Sequence, residues 1–373
     1  MDEQEVFYSI ALTNIPHIGL VIGKRLYEEA GSATAVFEHK DHLQEIIPDA
    51  NPQLGKLLSD NKEAFRLAEK ELKLIADKHI TPLCMNDPRY PQRMVECNDA
   101  PIILFYCGNA DLNRKHVINM IGTRRCTQYG KDICRTFIAD LQRKLPDVLI
   151  VSGLAYGIDI HSHREALAQQ IATVGVLAHG LDRIYPSAHR QTASQMVGNG
   201  GLLTEYPSGT APDKINFVKR NRIVAGMADA TIVVESAAHG GSLITAELAT
   251  SYNRDVFAFP GRIYDEYSEG CNKLISRNKA TMLQSTDDFL KAMGWNTENS
   301  DGIVDTQQEL FPVLTEEESK IVDSLKDCES KQINQIIIET GYGFSIVSSC
   351  LYELELKGVV MLLGGARYRL IRN

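Results

Sequence analysis

Between Ile80 and Trp295, short β-branched runs alternate with helix-length amphipathic segments five times over, and this alternation constrains the fold more than any other feature of the chain. The apolar runs are Val117–Ile121, Val148–Val151, Thr173–Ala178, Gly201–Thr204, Ala230–Val234 and Val256–Phe259. Between them lie helix candidates at Tyr129–Leu145, Ile160–Gln170, Ala188–Val197, Phe217–Met227 and Ser242–Tyr252. Strand followed by helix, repeated, is the signature of βαβ units. Residues 80–295 are therefore expected to form an α/β domain on a mostly parallel sheet covered on both faces.

The flanks have different textures. Residues 1–79 read as a small helical domain, with apolar residues at three- and four-residue spacing in Glu63–Lys78. Within it, Ile15-Pro16-His17-Ile18-Gly19 followed by Gly23-Lys24-Arg25 resembles a helix-hairpin-helix, whose glycine-rich hairpin offers backbone N–H groups to a phosphate. His17 stands where such hairpins carry glycine, and a plain helical turn is the competing reading. The polar stretch 296–313 reads as a linker. Residues 314–373 then give helices Glu316–Asp327, Ile333–Thr340 and Ser345–Lys357 and a hairpin Val359–Leu363, Gly364-Gly365, Arg367–Ile371, the elements of a winged helix. Its third helix carries Glu353 and Glu355 with Lys357 only at its far end, which argues against sequence-specific reading of a major groove. Arg367, Arg369 and Arg372 leave phosphate contact or protein contact open.

Composition narrows the function classes. A net charge of −9 opposes a surface broadly coated for duplex DNA, so any nucleic-acid site must be a local cluster of cations. The sequence lacks an apolar run long enough to span a bilayer, and its start, MDEQEVFYSIAL, is acidic where a signal peptide is basic, so a cytoplasmic protein without membrane association is expected. Eight cysteines without a CxxC pair suggest reduced, packed thiols rather than a zinc ribbon or redox dithiol. In Asp159-Ile160-His161-Ser162-His163 the two histidines would lie about 200° apart around a helix, which argues against a shared metal. Asp159 is expected to serve as the N-cap of that helix. A compact G-x-G-x-x-G followed by an acid is absent, and no cofactor is expected.

The chemistry-bearing residues gather after the expected strands, where parallel α/β sheets place binding sites. Ile121-Gly122-Thr123-Arg124-Arg125, then Ser152-Gly153-Leu154-Ala155-Tyr156-Gly157-Ile158-Asp159, then His239-Gly240-Gly241-Ser242 each put glycine just before a helix. Such turns let backbone amides approach a phosphate, and the helix N-terminus favours an anion. Lys214 and Phe217-Val218-Lys219-Arg220-Asn221-Arg222 add an aromatic among cations, a combination suited to single strands because a ring stacks on any base. A solvated helix start with Phe217 in the core is the alternative.

These motifs, in this order and over nearly the whole length, resemble the DprA/Smf family of DNA-processing proteins. The resemblance is carried further by Tyr90-Pro91, Ala100-Pro101, Gly180-Leu181-Asp182 with Tyr185-Pro186, Arg220-Asn221-Arg222-Ile223-Val224-Ala225-Gly226, Phe259-Pro260-Gly261, and Gly270 with Asn272 and Leu274-Ile275. It implies an extended Rossmann fold without a nucleotide cofactor, preceded by a SAM-like helical domain and followed by a winged helix. It implies a homodimer that binds and protects single-stranded DNA and hands it to the RecA recombinase in natural transformation and competence, with no catalytic chemistry. On the matching positions, Gly122, Thr123, Arg124, Ser152, Gly153, Lys214, Phe217, Arg220, Asn221, Gly240, Gly241 and Ser242 would form the DNA pocket, with Arg124 and Lys214 on phosphate. Leu274, Ile275 and Leu283 are candidates for the dimer face. Ser276-Arg277-Asn278-Lys279-Ala280 departs from the family's shorter turn.

One enzymatic reading competes. Gly240-Gly241-Ser242-Leu243-Ile244-Thr245-Ala246-Glu247 is similar to the Gly-Gly-x-Gly-Thr-x-x-Glu motif of phosphoribohydrolases, nucleotide-cleaving enzymes on a related fold, although the third glycine is missing and the threonine displaced. A surface or capping charge is the plain alternative for Glu247.

Overall fold

The computed structural model describes residues 2–48, 52–59, 61–295, 314–326, 330–357, 359–363 and 367–370. The expected linker 296–313, the Gly364-Gly365 turn, Asp327, Ile371 and Arg372 lie outside the described residues. The chain divides into two compact units, one containing the described residues through Trp295 and the other those from Leu314 onward.

Among the described residues, six helices open the first unit: α1 (Glu3–Thr13), α2 (Leu20–Ala30), α3 (Ala33–Glu38), α4 (Leu43–Ile46), α5 (Pro52–Ser59) and α6 (Lys62–Lys78). Buried Glu5 binds the start of α3, accepting from the backbone N–H groups of Ala33 at 2.9 Å and Thr34 at 3.0 Å. The turn between α1 and α2 places His17 at φ 69°, so a histidine occupies the left-handed conformation that usually favours glycine. Lys24 does not point outward to a phosphate. It is buried and donates to the carbonyls of Val95 and Cys97, both at 2.8 Å, which fastens α2 to the α/β part.

The chain then runs β1 (Thr81–Cys84), α7 (Gln92–Val95), β2 (Ile103–Gly108), β3 (His116–Ile121), α8 (Gln128–Lys144), β4 (Val148–Ser152), α9 (Ile158–Ala168), β5 (Thr173–Val176), α10 (Arg190–Gly198), β6 (Gly200–Thr204), α11 (Lys214–Gly226), β7 (Ala230–Val233), α12 (Gly241–Ser251), β8 (Asp255–Ala258), α13 (Glu269–Ser276), β9 (Thr281–Met282) and α14 (Thr286–Ala292). The nine strands form one sheet in the order β1-β2-β6-β5-β4-β3-β7-β8-β9. Strands β1 with β2 and β2 with β6 pair antiparallel, and all other neighbours are parallel.

Side-chain alternation shows why the sheet must be covered twice. In β3, Val117 and Ile121 enter one apolar cluster while Ile118 and Met120 enter another; in β4, Leu149 and Val151 separate in the same way from Val148 and Ile150. Because successive strand residues point to opposite faces, continuous apolar runs need an apolar layer on each side. From β3 the chain winds outward through β4, β5 and β6, then returns to place β7 on the other side of β3. That reversal opens a crevice at the carboxyl ends of β3 and β7, the switch point at which doubly wound sheets bind ligands.

Two expectations are corrected here. Leu274 and Leu283 lie in the apolar cores at 6% and 0% exposure, and Ile275 packs partly buried against the core, so the two leucines are spoken for within the chain rather than free to form a dimer face. Asp159 is not an N-cap, because α9 begins at Ile158 with Gly157 in that position.

The second unit contains α15 (Glu316–Leu325), β10 (Lys331–Gln332), α16 (Ile333–Thr340), α17 (Phe344–Leu356), β11 (Val360–Leu363) and β12 (Arg367–Leu370). Its antiparallel strands run β10-β12-β11, and Ile321, Leu325, Ile336, Val347, Leu351, Leu354 and Val360 form its own core. Thr315 and Glu318 close a reciprocal capping box at the start of α15. Lys357 reaches both Glu318 carboxylate oxygens, at 2.6 and 2.7 Å.

Candidate nucleic-acid interface

At the switch point three turns converge. The first follows β3. Thr123 donates its N–H to the carbonyl of Glu235 at 2.7 Å, and its own carbonyl accepts from the N–H of Ile158 at 3.2 Å. Gly122 is needed there, since a Cβ would lie 2.4 Å from Ile158 and 2.8 Å from the Glu235 carbonyl. The carboxylate of buried Glu235 fixes the far end of the same turn, accepting from the Thr127 N–H at 2.8 Å and its hydroxyl at 2.6 Å.

The second turn follows β4 and is held from within by Asp159, whose carboxylate accepts from the N–H groups of Gly153 at 3.2 Å and Ala155 at 3.4 Å. The third follows β7, where Gly240 and Gly241 lead into α12 and Ser242 donates to the Ser236 hydroxyl at 2.8 Å. The N–H of Leu243 is taken by the Gly240 carbonyl at 3.1 Å, which leaves those of Gly241 and Ser242, at the start of α12, to meet an anion.

Helix α11 packs against α12 and brings Arg220, Asn221 and Val224 to the cleft. Asp213 starts α11 by accepting from the N–H of Ile215 at 2.8 Å, which puts Lys214 and Phe217 in its first turns. Arg220 is 3% exposed, and its Nη1 donates to the carbonyls of Gly153, at 2.7 Å, and Val176. Burial brings its guanidinium down to about 10 while Asp159 pulls it back up, so Arg220 is charged at neutral pH. Burial also pushes the Asp159 carboxyl above the usual range, against the pull of Arg220 and two N–H groups.

Together these elements enclose an open cleft of about 250 Å³. Nine of the twelve residues expected at the site line it: Gly122, Thr123, Arg124, Gly153, Arg220, Asn221, Gly240, Gly241 and Ser242. Ser152 does not. It is wholly buried and its hydroxyl is occupied by the Met120 carbonyl at 2.6 Å. Lys214 and Phe217 stand outside the lining, with Lys214 exposed and Phe217 half-buried. The Phe217 ring lies 5.4 Å from the Arg124 guanidinium, 5.8 Å from that of Arg220 and 5.8 Å from the Tyr185 ring, close enough for cation–π attraction.

Asp159 and Thr245 line the cleft, and Tyr185 stands beside Phe217 with 48% of its surface exposed, although sequence reasoning assigned none of the three to the site. Tyr185 lay in a motif that had already been singled out; its position after β5, on the same sheet edge, was the available signal. Glu247 is exposed, pairs with Lys279 at 3.2 Å, and is not among the cleft-lining residues. His163 is buried against Thr173, while His161 lies half-buried on the same helix.

Chemically, the arrangement can hold an anionic, flexible polymer. Turn amides and Arg124 can meet phosphate-sized groups, and the Phe217 and Tyr185 rings stand alongside. The space is below the roughly 300–1,000 Å³ that encloses a drug-sized ligand, and its open form suits a segment of something longer.

Fold and site together define an α/β protein with a glycine-lined, cationic cleft at the switch point of a mostly parallel sheet. The DNA recombination-mediator protein A family model matches residues 81–294, and the chain belongs to that family. The chain is 29% identical to protein Smf of a Synechocystis strain over 99% of its length and 100% of that protein's. The X-ray structure of DNA processing protein A from Streptococcus pneumoniae superposes with a TM-score of 0.64 at 30% identity, covering 78% of this chain and 98% of that one. A structure of DNA processing protein A from Helicobacter pylori, described for its single-stranded DNA binding mode, gives a TM-score of 0.52 at 29% identity over 57% and 95%.

Proposed function

We propose that this protein binds single-stranded DNA in the cleft between the 122–124, 153–155 and 240–242 turns and performs no chemistry on it. The observation that carries the reading is the convergence of those three turns and Arg124 on one open cleft, beside Phe217 and Tyr185. Amides and the Arg124 cation meet the backbone, and rings meet the bases, a division that tolerates any sequence. The Helicobacter pylori relative's described binding mode supports the same ligand.

The cellular role that fits is protection of incoming single strands in natural transformation and their transfer to RecA, by a cytoplasmic homodimer. Among the described residues no helix is long and apolar enough to cross a membrane. The amino-terminal helices would then be the SAM-like domain and residues 314–373 the winged helix. In the latter, exposed Phe344, Tyr352 and Leu356 beside exposed Glu353 and Glu355 favour a protein contact over a DNA groove.

The test is a fluorescence-anisotropy titration of a labelled oligothymidylate with the full chain and with residues 1–295. Equal affinity, with no release of base or cleavage of the oligonucleotide, is the expected result. Loss of binding on removing residues 296–373 would place the site elsewhere. Base release from nucleoside monophosphates that disappears in Glu247→Gln would favour the phosphoribohydrolase reading.

A further inference from the structure

Outside the cleft, the most coherent unassigned surface begins where the second turn leaves it. Ala155 lines the cleft; Tyr156, the next residue, points out of it with 48% exposure, its ring edge-on to His189 at 4.8 Å. The turn carrying Tyr156 lies directly against Arg124. A Cβ on Gly157 would meet the Thr123 carbonyl oxygen at 2.0 Å and Arg124 backbone atoms at 2.7 Å. Tyr156 and Arg124 therefore share one rim.

Beyond Tyr156, helix α9 carries His161 and exposed Arg164. The titratable groups acting on His161 are Lys131 of the neighbouring α8, Arg164 and His189, none of them acidic. Burial first, then Lys131, Arg164 and His189, holds His161 below its usual range, and burial holds His189 below its own, so the positive charge of this surface rests on Lys131 and Arg164. Arg164 donates through Nε to the Thr192 hydroxyl of α10 at 3.4 Å, which aims the side chain across the gap between α9 and α10. Asp132, the acid beside Lys131 in sequence, is engaged by Arg135 at 2.6 Å and by Gln128 at 3.1 Å.

We propose that the single strand leaving the cleft continues over Tyr156 and onto the strip formed by Lys131, His161 and Arg164, which binds the phosphates that follow. The proposal rests on the cleft being a single-strand site. Its own support is the shared rim, the aromatic interleaved with like charges, and the run of the strip away from the cleft. A ring that accepts any base followed by cations at successive positions is how sequence-tolerant tracks lengthen a footprint. An acidic protein surface would also suit Lys131 and Arg164, but the exposed Tyr156 beside Arg124 makes the strip continuous with the cleft and favours the nucleic acid.

The strip predicts an effect that depends on oligonucleotide length. Labelled oligothymidylates of about 6 and about 20 nucleotides are titrated at several salt concentrations with the full chain and with the Lys131→Ala/Arg164→Ala and Tyr156→Ala variants. The short oligonucleotide fills the cleft alone and should bind the parent and the double variant equally. The long one should lose about tenfold in affinity in the double variant, with its salt slope reduced by about 1.4. Tyr156→Ala should weaken the long oligonucleotide without changing that slope. Equal behaviour of parent and double variant on both lengths overturns the strip and leaves an acidic partner protein as the reading of its charge. Arg124→Ala separates the two ideas: unchanged binding of the short oligonucleotide removes the cleft, whatever the strip does.

Discussion

The Nη1 atom of Arg220 donates to the carbonyl oxygen of Gly153 at 2.7 Å, so an arginine that lines the cleft is bonded to the turn that shapes it. Its guanidinium is buried, also bonds the Val176 carbonyl, and compensates the charge of Asp159. Replacing it with methionine of similar length leaves two buried carbonyls unpaired and an uncompensated carboxylate. The loss of stability should be about 3 kcal/mol, read as a lower urea midpoint. If Arg220→Met unfolds like the parent yet binds DNA poorly, Arg220 acts on the ligand and not on the turn.

Arg124 and Lys214 behave differently because both are exposed. Arg124→Ala and Lys214→Ala should leave stability within about 0.5 kcal/mol of the parent. Each should lower affinity for an oligonucleotide and reduce the slope of log affinity against log salt by about one, the signature of one lost phosphate contact. A slope unchanged in either variant removes that residue from the backbone path.

Two glycines of the site separate shape from contact. Gly157 sits at φ 78°, ψ −128°, and a Cβ there would lie 2.0 Å from the Thr123 carbonyl oxygen. Gly157→Ala should cost more than about 2 kcal/mol and lower binding with it. Gly241 has no atom within 4 Å of its would-be Cβ and lines the cleft in the first turn of α12. Gly241→Ala should be as stable as the parent or gain about 0.5 kcal/mol through helix propensity, while its methyl group obstructs close approach and weakens binding. Equal binding by Gly241→Ala and the parent would mean that DNA does not approach this turn.

Much of this architecture is legible in the sequence because the central strands are buried on both faces and leave long apolar runs. All six strands and five helices expected between Val117 and Phe259 form, with ends shifted by as much as three residues. The largest shift has a local cause. Asp213 caps α11, so the helix starts at Lys214 rather than Phe217 and presents Lys214 one turn before the ring. Strand β1 escaped notice because four residues containing Pro82 carry little pattern; its pairing along β2, not its composition, makes it a strand. The two-residue β9 is similarly defined by its neighbour. Among site residues, the glycine turns could be read because their conformations are local. The bonds that hold Ser152 and Arg220 could not, since their partners, Met120 and Val176, lie 32 and 44 positions away. No periodicity announces such a bond.

One buried histidine of α9, packed against β5 of the sheet, sets a pH dependence with a definite sign. The Thr173 hydroxyl donates to the Ile150 carbonyl at 2.9 Å, so its oxygen must accept from His163, whose Nδ1 lies 2.7 Å away and therefore carries the proton. The other ring nitrogen, Nε2, is buried without a partner. Protonating it would place an unsatisfied charge in the core, and burial, with His189 and Arg220 nearby, brings the imidazole down from 6.5 to about 3. The folded state therefore resists a proton that the unfolded chain takes up below about pH 6.5. Between those two values the unfolded state binds more protons, so stability is complete above pH 6.5 and declines as the pH falls toward 3. At pH 5 the loss from this group alone is about 2 kcal/mol. Urea midpoints measured from pH 8 to pH 5 should fall accordingly, and His163→Gln, less stable at pH 8, should show a flatter profile. Parallel profiles for parent and variant would mean that His163 takes up its proton in the folded state as readily as in the unfolded one.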